Sequence, residues 1–88
     1  MSQHKRKEVT TRVKRIHGHI HAITEMLEEG RSYAEVVQQL TAVRAALDGA
    51  IQVIVDDLVE DCVAKMQQKE PFQDSILELQ AVVGKLRS

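Results

Sequence analysis

Apolar residues Val9, Val13, Ile16, Ile20, Ile23 and Leu27 recur at spacings of four, three, four, three and four, an a/d stripe sustained for nearly three heptads. The stripe predicts a first helix over about residues 5–29. Gly30 is its natural C-terminal stop, and Ser32 followed three residues later by Glu35 is the capping box of a second helix. So short a connection favours an antiparallel hairpin. From Tyr33 to about Gln68 there is no proline, and Leu40, Val43, Leu47, Ile51, Ile54, Leu58, Cys62 and Met66 follow at three- or four-residue steps. One long helix over 33–68 is predicted, reaching roughly 50 Å at 1.5 Å per residue. That exceeds the width of so small a domain, so another chain is expected to cover part of it. A second face carries Ala42, Ala45, Ala46, Gly49 and Ala50, small enough for a partner backbone to approach closely. Both features point to helix two as a dimer spine. Lys69, Glu70 and Pro71 break the pattern, and Ser75 with Glu78 reads as a capping box for a short third helix over about 75–87 carrying Ile76, Leu79, Val83 and Leu86. The expected fold is all-α, with three helices per protomer and no strand.

Length sharpens the need for a partner. Eighty-eight residues form one domain, which buries only about 60 to 65% of its unfolded surface and is marginal alone. Cys62 is the only cysteine, so no intramolecular disulfide is available, and a single thiol suits a reducing cytoplasm. No apolar run approaches the roughly 20 residues of a membrane span, and no signal-peptide pattern opens the chain. A cytoplasmic protein without membrane contact is expected.

The net charge of −1 conceals an asymmetry: residues 1–22 carry Lys5, Arg6, Lys7, Arg12, Lys14 and Arg15 against Glu8 alone, a local charge of +5, while the remainder is −6. Lys5, Arg12 and His19 recur every seven residues, as do Lys7, Lys14 and His21, so basic rows flank the apolar stripe. This is the electrostatic footprint of phosphate contacts on nucleic acid. With one Tyr, one Phe and no Trp the chain lacks stacking platforms for single strands, so duplex is the expected form. Basic helix faces also occur on proteins that are merely soluble, and no helix-turn-helix pattern is present. His17 and His21 form an i, i+4 pair with Glu25 one turn on, a spacing compatible with metal but usual for solvated residues. Asp56, Asp57, Glu60 and Asp61 read as solvated surface, and Cys62 as a small buried hydrophobe. No glycine-rich phosphate loop, nucleophile elbow or CxxC pair is present, so an enzyme is not expected.

The run Arg12-Val-Lys-Arg15-Ile-His-Gly18-His-Ile20, followed by Gln38-Gln-Leu-Thr-Ala-Val-Arg44-Ala-Ala-Leu-Asp-Gly49, resembles the CsoR/RcnR/FrmR family of transcriptional repressors over nearly the whole chain. The resemblance implies three-helix protomers that form homodimers and then homotetramers, and that release operator DNA when an effector binds. It implies DNA contacts at Arg12, Lys14 and Arg15 of helix one and at Arg44, to which the heptad row of basic residues adds Lys5; at Asp48, some relatives carry an arginine implicated with DNA, and this chain has an acid there. The family's sensing positions fall on Tyr33, where relatives place Cys, and Leu58, where they place His. Cys62 retains a thiolate at a third position, and His19 matches a helix-one histidine of some nickel sensors. Two donors do not close a copper or nickel site. The formaldehyde branch requires a cysteine at the Tyr33 position with an N-terminal proline, and the persulfide branch requires two cysteines; neither pattern is met.

The leading expectation is therefore a repressor that binds duplex DNA through helix one, with the usual metal ligands largely lost and no cofactor. Two alternatives stand beside it: a metal-responsive repressor rebuilt from His19 and Cys62 with other donors, and a helical module that forms hetero-oligomers with a related repressor without repressing.

Overall fold

A computed structural model of the chain describes residues 2–87. It contains three helices, α1 (Gln3–Glu28), α2 (Tyr33–Gln67) and α3 (Gln73–Arg87), and no strand among the described residues. α1 starts two residues earlier than the apolar stripe requires, because the Ser2 side chain caps it by accepting from the Lys5 amide at 3.1 Å. His4 and Lys5 therefore lie within its first turn. α1 ends in a Schellman motif: Gly30 has φ +75°, its amide donates to Leu27 O, and the Arg31 amide donates to Met26 O. The predicted box opens α2, with the Glu35 amide donating to Ser32 Oγ at 3.2 Å.

Three links fix α1 and α2 as an antiparallel hairpin. Ser2 reaches Asp57, Arg12 lies beside Gly49 and His19 pairs with Gln39, so positions fall along α2 as they rise along α1. Between the helices Ile16, Ile23, Val36 and Val43 are buried, with Met26 and Ala46 packed against them. Ala50, Leu58 and Cys62 continue the buried line along α2.

Two expectations change here. The α1 stripe is split, since Ile16 and Ile23 enter the hairpin while Val13, Ile20 and Leu27 stay about half exposed. The small-residue face of α2 is divided, with Ala42 and Ala45 exposed and the other three positions turned to α1. Ala46, Gly49 and Ala50 receive α1 of the same chain, and the larger Leu40, Leu47 and Ile51 remain uncovered. A slender helix face is filled by the nearest element in sequence, and the hairpin supplies one.

The second predicted capping box is also corrected. α3 begins at Gln73, so Ser75 lies inside it and is buried, with the Ile76 amide donating to Phe72 O. Ser75 Oγ donates to Asp61 Oδ2 and accepts from Lys65 Nζ, both at 2.7 Å, fastening α3 to α2. Among the described residues no helix is long and apolar enough to cross a membrane.

Candidate functional site

The heptad recurrence of basic residues does not produce one uniform face. Arg12, Arg15 and His19 climb one flank of α1 on successive turns and, with Ile16 and Ala46, line a notch of about 210 Å³ against α2. Arg12 lies across α2, its Nη1 3.4 Å from where a Cβ on residue 49 would stand. Its Nη2 is 3.6 Å from Glu8 Oε1, an ion pair too long to be a hydrogen bond. Arg15 is exposed and has no carboxylate partner among the described residues. At the other end His19 Nε2 meets Gln39 Oε1 at 2.7 Å; the Nε2–H tautomer is the one that donates.

The remaining basic candidates distribute around this flank. Lys14 is exposed on the outer side of α1, lining an open groove with Arg6, Lys7, Thr10 and Thr11. Lys5 is half-buried beside Glu8, with Nζ 3.7 Å from Oε2. Arg44 is exposed on α2, and 100° per residue sets it on the Leu40 and Leu47 side, away from Gln39 and Ala46. Within one chain it does not join the α1 cations.

The metal candidates are not brought together. His19 lies opposite Gln39, and Cys62 is 23 residues further along α2, roughly 35 Å at helical rise. An ion shared by His19 and Cys62 needs ligands from two chains. Tyr33 is 81% exposed at the start of α2, whereas Leu58 is 2% exposed and Cys62 is buried near its end. His21 Nε2 instead pairs with Glu25 Oε1 at 3.1 Å on the exposed side of α1, where His17 is exposed too. Among the described residues no three or more His, Cys, Asp or Glu gather to hold an ion.

The acidic run is not uniformly solvated surface. Asp57 is buried beneath the start of α1, where the Ser2 amide donates to its Oδ2 at 3.2 Å. Asp61 takes the bond from Ser75, and that bond, followed by Lys65, holds its carboxyl below the usual carboxylate range. Gln39 and Gly49 were not identified from sequence as partners of the basic residues. Their signal was present as the 39, 42, 46, 49 spacing, a helix face that ends in a polar residue at one side and a glycine at the other.

A family model described as metal-sensitive transcriptional repressor matches residues 5–85. The copper-sensing transcriptional repressor CsoR of Bacillus subtilis (strain 168) is 30% identical over 84 residues, which span 96% of this chain and 83% of that protein. The uncharacterized protein YrkD of the same organism is 38% identical over 63 residues, 70% of this chain and 100% of that one. Among solved structures, the nickel-responsive transcriptional regulator InrS superposes with a TM-score of 0.79 at 29% identity, covering 97% of this chain and 92% of the other.

Proposed function

Since the chain belongs to the metal-sensitive transcriptional repressor family, we propose that it represses by binding duplex DNA through α1, using Lys5, Arg12, Lys14 and Arg15, with Arg44 of α2 contributing from a neighbouring protomer. The observation that carries this reading is the concentration of cations on α1, where Lys5 and Arg12 share the single carboxylate of Glu8. Among the described residues Arg15 and Lys14 have no carboxylate beside them, and Lys5 and Arg6 occupy the first turn, with no acid there. Cations at a helix N-terminus oppose its dipole and cost about 0.3 to 1 kcal/mol each when exposed. Their placement there is explained by a polyanion that recovers that cost on binding. The operating unit in this reading is a dimer closed over Leu40, Leu47 and Ile51, paired again into a tetramer.

For the effector, the donor chemistry supports a metal-independent reading. Tyr33 and Leu58 offer no soft or imidazole ligand, and His19 and Cys62 of one chain are far apart. With two of the expected ligand positions lacking donors, the repressor is proposed to bind operator DNA without metal.

The test is a titration of the protein against its own upstream DNA at fixed salt, in chelator and then with copper, nickel or zinc. Sequence-preferring binding in chelator, unchanged by any ion and weakened in Arg15→Ala, is the expected result. An ion-dependent change abolished by Cys62→Ala restores the rebuilt sensor, and absence of specific binding removes the repressor reading.

A further inference from the structure

The notch between α1 and α2 has a composition that neither the hairpin core nor a flat nucleic-acid surface requires. Its floor is apolar, from the buried Ile16 and from Ala46, and its rim is cationic, from Arg12 and Arg15. One carboxylate, Glu8, pairs with Arg12 at 3.6 Å, beyond hydrogen-bond distance, and Arg15 has no carboxylate beside it among the described residues. Arg12, Arg15 and Glu8 together carry a formal charge of +1. A volume of about 210 Å³ is below the roughly 300–1,000 Å³ of pockets for drug-sized ligands, which selects a small occupant. Planar guanidinium forks suit the oxygens of phosphate and its relatives.

We propose that this notch seats one tetrahedral oxyanion, gripped by the Arg12 and Arg15 guanidiniums and bounded at its far end by the His19 ring. Gln39 acts by position, since its 2.7 Å contact holds the imidazole at the interhelical edge. Gly49 lies directly against the Arg12 guanidinium, whose Nη1 is 3.4 Å from where a Cβ on residue 49 would stand. The oxyanion has two possible sources with the same chemistry, a free inorganic ion and a phosphate of a DNA backbone. Only the second source rests on the repressor reading above; the seat itself rests on the notch.

The experiment titrates the full chain with inorganic phosphate against chloride at matched ionic strength, following Ile16 and Ala46 methyl signals by NMR. Saturable shifts specific to phosphate are expected, weakened roughly tenfold in Arg15→Gln, the loss of a charged hydrogen bond, and unchanged in the remote Lys85→Gln. Arg15 is exposed, and circular dichroism confirms that its variant remains folded. Shifts that merely follow chloride, or equal titration of the two variants, overturn the seat. The same titration in the presence of operator duplex then separates the sources. Displacement of DNA beyond that caused by matched chloride, absent in Arg15→Gln, assigns the seat to a backbone phosphate. Saturation of the notch without such displacement, or without any DNA binding, supports a seat for the free ion and removes Arg12 and Arg15 from the DNA interface.

Discussion

Ser75 shows how one hydroxyl joins two elements. It is buried, donates to Asp61 and accepts from Lys65, while Lys65 Nζ also lies 3.1 Å from Asp61 Oδ2 directly. Ser75→Ala removes two bonds and leaves the direct pair, so the melting temperature is expected to fall by about 5 °C, the response to roughly 1 kcal/mol in a domain of this size. The bond from Ser75 is also the main reason the Asp61 carboxyl titrates below its ordinary value. A carboxylate depressed in the folded state stabilises above its unfolded pKa, near 3.9, and that stabilisation is lost as pH falls through the lower folded value. The melting-temperature gap between wild type and Ser75→Ala should thus be full at neutral pH and shrink below about pH 4. A constant gap across that window would separate the hydroxyl from the Asp61 titration. Sequence reading gave Ser75 the other role open to serine near a helix start, the cap; the boundary two residues earlier turned it inward.

Among the elements, the two interhelical connections use the same device with different residues. Both α1 and α2 end in Schellman motifs: Gly30 occupies the left-handed position after α1, and Lys69, with φ 59°, occupies it after α2. The Glu70 amide donates to Lys65 O and the Lys69 amide to Met66 O, the same pairing found at Arg31 and Gly30. A side chain with Cβ in that conformation costs about 1 to 2 kcal/mol. Lys69→Gly relieves this but adds freedom to the unfolded chain, so a net gain of about 0.5 kcal/mol is expected, seen as a rise of a few degrees in melting temperature. An unchanged or lower value would mean that the Lys69 side chain contributes more than its backbone costs. Helix number and order were legible from periodicity and breakers, because those signals are local. Which stripe faced which neighbour was not. The small face of α2 reads equally well as a seat for another chain or for α1, and only the docking of Arg12 beside Gly49 shows that α1 takes it.

As a whole molecule the chain is a slab of 58 × 27 × 14 Å with a radius of gyration of 17.3 Å. A compact 88-residue domain has a radius near 12 Å. Its accessible surface of 6833 Å² likewise exceeds the roughly 5,200 Å² of a compact monomer of this mass. A thickness of 14 Å is little more than one helix, whereas a stable core lies between two layers. Val13, Ile20 and Leu27 of α1 and Leu40, Leu47 and Ile51 of α2 are exposed apolar residues of that single layer. Leu47→Glu is expected to leave hairpin contacts intact but to shift sedimentation to the monomer and reduce helicity, since the isolated slab is marginal. A variant that sediments as wild type would place the covering surface elsewhere. Loss of DNA binding in parallel would tie the operator contact to assembly.

Periodicity, breaker residues and charge order determined the three helices, the hairpin and the basic character of α1, since each depends on neighbours within a turn or two of chain. The assignment of Arg12 and His19 to an interhelical notch, the burial of Asp57 and the use of Ser75 as a bridge were decided only by tertiary structure. Those depend on helix rotation and on where α3 begins, and shifting either by one residue, 100° of rotation, exchanges a solvated side chain for a buried one.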